Sequence, residues 1–305
     1  MNNNEECSIL SVLMTSYNRE LLISESIESV LRSSYSDFEF IIVDDASSDS
    51  TWSIIKEFAS RDNRIKAYRN EINLGDYVNR NKAVSYANGK YIKFVDSDDI
   101  IGEKYLDFMV NQMERFPNVS FGLSADPKWL NEQANSIWTP LDLFNAYIFH
   151  GKAIGTPPSG SILRRSVFNE VGGFSGKKYL GDTELWLKLS LAHNALIFPN
   201  NLYFWREHSN QQMKEEQKNP NIKYQRFQMI LDFIENPKLL VSDVFRKLAK
   251  RNLKNIQSRL ILLNLIKANF KISRQELLGY NLNLLDLLLS LKPNKYPKNL
   301  SQENS

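Results

Sequence analysis

A chain of 305 residues is long enough for one large domain or two smaller ones, and its 42% hydrophobic and 24% charged residues are ordinary for a soluble globular protein. The single cysteine, Cys7, excludes an intrachain disulfide, the polar, acidic first six residues do not read as a signal peptide, and no apolar run reaches the roughly 18 residues that span a bilayer. The net charge of +3 is unevenly divided: residues 1–219 hold 23 Lys+Arg against 29 Asp+Glu, a net −6, and residues 220–305 hold 15 against 6, a net +9. The expectation is a cytoplasmic protein, soluble or peripheral at the inner face of the cell membrane, with domains at 1–219 and 220–305.

Residues 9–14 read as a buried strand, followed by a polar turn from Thr15 to Arg19. Ile23, Ile27, Val30 and Leu31 then fall on one helical face. A second strand at residues 38–43 runs into the acidic, serine-rich cluster that begins at Asp44 and Asp45. Trp52, Ile55, Phe58 and Ala59 mark the next helix, residues 65–69 a third strand, and Asn73-Leu74-Gly75 a turn. A helix over 78–87 stops at Asn88-Gly89. The strand after it delivers Asp96-Ser97-Asp98-Asp99.

Strand and helix alternate throughout this half, which predicts βαβ crossovers and a mostly parallel sheet. Ligands of such sheets bind beyond the carboxyl ends of the strands, where all three polar clusters fall. If the backbone stays extended, Asp96 and Asp98 point to the same side, and oxygen ligands so clustered suit a hard divalent cation such as Mg²⁺ or Mn²⁺. The bland alternative is a solvated acidic loop.

Residues 12–18, Ile42-Val43-Asp44-Asp45-Ala46-Ser47, Asn73-Leu74-Gly75 with Arg80-Asn81, and Asp96-Ser97-Asp98-Asp99 together resemble family 2 glycosyltransferases, including the bacterial spore-coat type. The resemblance covers roughly residues 8–212. It implies the α/β GT-A fold: a Rossmann-like, mostly parallel central sheet flanked by helices, here with a C-terminal helical extension. It further implies that Thr15, Tyr17 and Asp45 hold the base and ribose of a nucleotide-sugar. Arg80 would approach the nucleotide-sugar, Asp96 the ribose or sugar, and Asp98 the metal of a DXD motif. Arg19, Asn73, Gly75 and Ser97 complete the expected donor site. The chemistry of the residues agrees: a carboxylate such as Asp45 accepts a hydrogen bond from a uracil or thymine N–H, and Tyr17 offers a stacking face. Helix capping for Asp44-Asp45, a core position for Tyr17 and a surface cation for Arg80 are the structural alternatives.

Tyr105, Phe108, Met109 and Met113 suggest a further helix, and residues 119–123 a strand. Residues 124–160 are irregular and aromatic; in the family this region helps to shape the acceptor side. Residues 161–174 again resemble the family, and Gly181-Asp182-Thr183-Glu184 reads as a turn entering a helix. Family members often carry Glu-Asp where this chain has Gly181-Asp182. By resemblance Asp182 is the catalytic base; its structural alternative is a helix N-cap, and the two roles are compatible. Phe204-Trp205-Arg206-Glu207-His208 resembles the family's Arg-x-His ending, which implies a metal or diphosphate role for His208.

After Pro220 the chain turns basic and helical, which suits an anionic membrane carrying lipid-linked acceptors, packing on the catalytic domain, or an oligomer. The charge of that tail alone gives nucleic acid little support. The expected function is transfer of a sugar from a nucleotide-diphosphate donor, UDP-linked by preference, to an acceptor hydroxyl, inverting and dependent on Mn²⁺ or Mg²⁺, in polysaccharide or glycan synthesis. A sugar-nucleotide pyrophosphorylase and a non-catalytic nucleotide-sugar binding protein are the alternatives.

Overall fold

The structure, a computed structural model, describes residues 8–125, 136–151, 155–199, 203–204, 206, 220–266, 278–280, 282–283, 286–287 and 290. The first half alternates as its periodicity requires: strand Leu10–Ser16 (β1), helix Ile23–Leu31 (α1), strand Phe38–Asp44 (β2), helix Thr51–Arg61 (α2), strand Ile65–Arg69 (β3), helix Asp76–Ser85 (α3) and strand Tyr91–Phe94 (β4). β2 and β4 are buried along their whole length, as expected for central strands covered on both faces. All four strands are parallel, with Leu10 opposite both Phe38 and Tyr91, so β1, β2 and β4 end at the same side of the sheet. That side carries the polar clusters.

The second half adds strand Ile100–Ile101 (β5), helix Tyr105–Arg115 (α4), strand Phe121–Ala125 (β6), strand Ser136–Trp138 (β7), helix Pro140–His150 (α5), a 3₁₀ turn at Pro158–Gly160, strand Ser161–Arg164 (β8), helix Arg165–Glu170 (α6), helix Gly181–Leu189 (α7), strand Ala195–Pro199 (β9) and strand Tyr203–Phe204 (β10). The eight-stranded sheet runs β3-β2-β1-β4-β8-β6-β9-β7. β8 lies antiparallel between β4 and β6, and β9 is parallel to β6, so the sheet is parallel at one end and mixed at the other. Phe40, Phe94, Phe121, Phe198 and Trp186 are fully buried, and burial of each such side chain contributes about 1.5–3 kcal/mol.

Two boundaries differ from the sequence reading. α3 begins at Asp76 rather than residue 78 because Gly75, at φ 85°, starts the helix from a backbone conformation that favours glycine. The strand expected at 119–123 begins at Phe121, since the Val119 N–H closes a turn onto the Phe116 carbonyl.

The chain divides into two compact units, residues 1–139 with 153–208, and residues 140–152 with 209–305. The first holds the sheet. The second groups α5 with helices Pro220–Glu235 (α8) and Asp243–Ile266 (α9). Phe144 of α5 packs on Phe233 and Phe245 at 5.6 and 5.1 Å between ring centres, and Asn252 Nδ2 donates to the Ile148 carbonyl at 2.6 Å. Phe144 and Phe149 of the aromatic middle region are therefore part of this second core. Among the described residues no helix is long and apolar enough to cross a membrane.

Candidate active site

The loops after β1 and β2 form one hydrogen-bonded layer. The Asn18 N–H donates to Ser47 Oγ at 3.0 Å, the Ser48 N–H to Asn18 Oδ1 at 2.9 Å, and the Arg19 N–H to Thr51 Oγ1 at 2.7 Å. Asn18 and Ala46 both have positive φ, 51° and 61°. For Ala46 this costs on the order of 1 kcal/mol, and such strain gathers at functional sites. Thr15 is half-buried at the end of β1. Tyr17 is 46% exposed, so it presents its ring outward instead of filling the core.

Asp45 is buried behind this layer. Its Oδ1 accepts from Asn70 Nδ2 at 2.7 Å and the Leu74 N–H at 2.9 Å, and its Oδ2 from the Gly75 N–H at 2.9 Å. Asn73 Nδ2 donates back to the Asp45 carbonyl at 3.2 Å. Asp45 thus holds the whole Asn73-Leu74-Gly75 turn, Leu74 and Gly75 through its carboxylate and Asn73 through its carbonyl. The capping role weighed for Asp44 and Asp45 falls instead to Asp49, whose Oδ1 accepts the Thr51 N–H at 2.9 Å. Asp44 pairs with Arg69 at 3.2 Å.

The acidic loop after β4 departs from the extended geometry expected of it. The strand ends at Phe94, and the Asp99 N–H donates to the Asp96 carbonyl at 3.0 Å, which folds 96–99 into a turn. The turn gathers three carboxylates instead of two: one oxygen each of Asp96, Asp98 and Asp99 lies within 4.8 Å of the others. Burial and then the charge of Asp96 push the Asp99 carboxyl above its ordinary range. An all-oxygen set that is electrostatically strained when ionised fits a hard divalent cation.

Cations ring this cluster. Arg80 on α3 bridges Asp96 at 2.8 Å and Asp76 at 2.9 Å. Burial works against its charge, but Asp76 and Asp96 outweigh that and hold the guanidinium above its ordinary value. Arg80 is therefore no surface cation. Arg19 Nε lies 3.2 Å from Asp98 Oδ2. Ser97 is buried and its carbonyl accepts from Ser26 Oγ at 3.0 Å. Arg206 donates to the Asp98 carbonyl, to Ser26 Oγ at 2.7 Å and to Glu25 at 2.6 Å, so this one side chain ties α1 to the acidic loop. His208 lies outside the described residues.

Asp182 sits in the first turn of α7, where its Oδ1 accepts the Thr183 N–H at 2.6 Å. Gly181 lets the helix reach α3: a Cβ there would meet the Tyr77 ring at 2.7–2.8 Å. Burial followed by the Asp182 charge pushes the Tyr77 phenol up. Both the Asp182 and the Asp76 charges act on Tyr77, and Asp76 pairs with Arg80. Glu184 faces elsewhere, with Lys177 at 2.7 Å and the Ser175 hydroxyl on its carboxylate. Burial opposes its ionisation, but those two hydrogen bonds outweigh it and hold its carboxyl below the ordinary value.

The sequence reading omitted Asp76, Tyr77, Asp99 and Lys93 from the site. Asp76 is readable as the i,i+4 partner of Arg80, and Asp99 as the third acid of its run. Lys93 shows only as a charge inside an apolar strand.

A central sheet whose parallel half presents this acidic loop at its strand ends has the α/β GT-A architecture. The profile described as Glycosyl transferase family 2 matches residues 11–172, and the chain belongs to that family. It is a glycosyltransferase. It is similar to the Escherichia coli UDP-Glc:alpha-D-GlcNAc-diphosphoundecaprenol beta-1,3-glucosyltransferase WfgD, 42% identical over 113 residues, covering 37% of this chain and 44% of that one. The fold is similar to S. aureus TarS in complex with UDP-GlcNAc, with TM-score 0.67 and 20% identity over 92% of this chain and 79% of that one. It is also similar to the Pyrobaculum calidifontis mannosyltransferase PcManGT in complex with GDP-Man and Mn²⁺, with TM-score 0.54 and 15% identity over 94% and 87%.

Proposed function

We propose that this glycosyltransferase moves a sugar from a UDP-linked donor to an acceptor hydroxyl with inversion, in surface polysaccharide or glycan synthesis. The observation that carries the reading is the Asp96–Asp98–Asp99 cluster at the carboxyl end of β4, faced by Arg19 and Arg80. The UDP-GlcNAc bound to TarS and the Mn²⁺ bound to PcManGT support the donor class and the cation, and the diphosphoundecaprenol substrate of WfgD supports a lipid-linked acceptor. Thr15, Tyr17, Asp45, Asn73 and Gly75 hold the nucleoside, with Tyr17 as stacking face and Asp45 as organiser of the turn. Arg19, Arg80, Asp96 and Ser97 line the diphosphate and sugar. Asp98, with His208, would hold Mn²⁺ or Mg²⁺, which when bound supplies positive charge against the departing diphosphate. Asp182 takes the acceptor hydroxyl's proton as that oxygen attacks C1, the new C1–O bond forming while the bond from C1 to the diphosphate oxygen breaks and the nucleoside diphosphate leaves.

Release of UDP from UDP-sugars, measured with and without Mn²⁺, tests the reading. Metal-dependent release supports it; UDP-sugars neither bound nor turned over under any metal condition would refute it. The second unit is proposed to bring the enzyme to an anionic membrane surface through the basic face of α9, where Lys247, Arg251 and Lys254 are exposed.

A further inference from the structure

Lys93 stands in the middle of β4 with no solvent exposure, although lysine is almost never fully buried without partners. Its Nζ donates to the Phe94 carbonyl at 2.6 Å and to the Ser159 carbonyl, and it lies 5.1 Å from the centre of the Tyr105 ring. The Tyr105 hydroxyl donates to the same Ser159 carbonyl at 3.3 Å. Ser159 in turn accepts the Asp96 backbone N–H on its Oγ at 2.9 Å. The segment that carries Ser159 has a second attachment. Trp186, one turn beyond Asp182 on α7, donates from Nε1 to the Thr156 carbonyl at 2.7 Å, and Thr156 Oγ1 donates to the Ser124 carbonyl at 2.7 Å.

We propose that Lys93 is a positioning residue that pins the Pro158–Gly160 turn beneath the acidic loop, so that Ser159 holds Asp96 in place and one segment sets the loop against the helix that carries Asp182. The inference rests on the reading of the site given above and adds to it a residue that touches neither donor nor acceptor. Burial pushes the Lys93 ammonium down to about 7, against the pull of Asp96 and Asp99 and with the help of Arg80. A neutral amine still carries two N–H groups, enough for both carbonyls, so the pin works in either protonation state. A fully apolar side chain would fill the same space without the desolvation cost of the amine. What it would not supply is the hydrogen bond to the Ser159 carbonyl that reaches across to the turn.

The test is Lys93→Met, which keeps the length and loses the donors, with hydrogen exchange at the Asp96 amide and Mn²⁺-dependent affinity for UDP as readouts. The Asp96 amide is expected to exchange at least about tenfold faster while amides of β1 and β2 keep their protection, and UDP affinity with Mn²⁺ to fall by at least about tenfold. Ser159→Ala, which leaves Lys93 in place, is expected to do the same, and the double variant to add little. Unchanged Asp96 exchange in Lys93→Met, or an acceleration shared by the whole sheet, overturns the proposal. If Lys93→Met does not fold, Ser159→Ala decides: wild-type exchange at Asp96 and wild-type affinity overturn it. Absence of Mn²⁺-dependent UDP binding in the wild type would sink the functional reading instead, and the exchange result would still judge Lys93.

Discussion

Asp182 and Glu184 stand two residues apart in the first turn of α7, yet their surroundings assign them different work. Glu184 is consumed by Lys177 and Ser175, whereas Asp182 meets a backbone N–H and lies beside Tyr77. Asp182→Asn keeps the size and most of the capping capacity but is a very poor base. Its kcat is expected to fall by at least about 10²-fold with donor affinity and melting temperature nearly unchanged. Turnover at close to the wild-type rate would reduce Asp182 to a cap. Lys93 makes a separate mark on stability. Its folded pKa of about 7 lies below the ordinary 10.5, so between those values the unfolded chain binds the extra proton. In that window the lysine makes stability rise with pH, by up to about 1.4 kcal/mol per unit, and below it the buried ammonium is a net cost. Urea melts at pH 7 and pH 9 are expected to show this rise in the wild type and not in Lys93→Met; equal slopes would contradict it.

At the scale of elements, the close approach of α7 to α3 depends on Gly181. Gly181→Ala drives a methyl into the Tyr77 ring, and such overpacking costs about 1–3 kcal/mol. A lowered melting temperature with a reduced kcat is expected, since both Tyr77 and Asp182 must move; a variant with wild-type stability and rate would show that the approach is not tight. The parallel half was legible in the sequence because its strands and helices alternate, and the apolar residues of β1, β2 and α1 are bounded by polar turns. The acidic cluster was legible in the sequence but its geometry was not, because the hydrogen bond that folds residues 96–99 leaves no mark in side-chain periodicity. The partners of the Asp45 carboxylate and the Ser159 partner of Lys93 come from residues 25 to 66 positions away, a distance no local pattern spans. The place of α5 was hidden for the same reason: its aromatics find their partners in helices about 90 to 100 residues later.

At the scale of the molecule, charge is unevenly divided between the two units. The sheet unit gathers its acids where a cation and diphosphate would meet, and the second unit carries the excess of Lys and Arg. Because α5 packs within the second unit, cutting the chain at residue 219 would strip that helix of its partners, and charge reversal in the full chain is the cleaner experiment. Lys247→Glu, Arg251→Glu and Lys254→Glu together are expected to abolish salt-sensitive sedimentation with anionic vesicles, each basic residue contributing about 1 kcal/mol. Equal sedimentation by both proteins would leave the basic face to packing or assembly.

The central claim is that the carboxylates after β4 hold a cation that binds the donor's diphosphate. Calorimetric titration of UDP into wild type and Asp98→Ala, each with and without Mn²⁺, tests it most directly. The wild type is expected to bind UDP at least about tenfold more tightly with Mn²⁺, and Asp98→Ala, still folded, to show no response to the metal. The same Mn²⁺-dependent gain in Asp98→Ala would contradict the account.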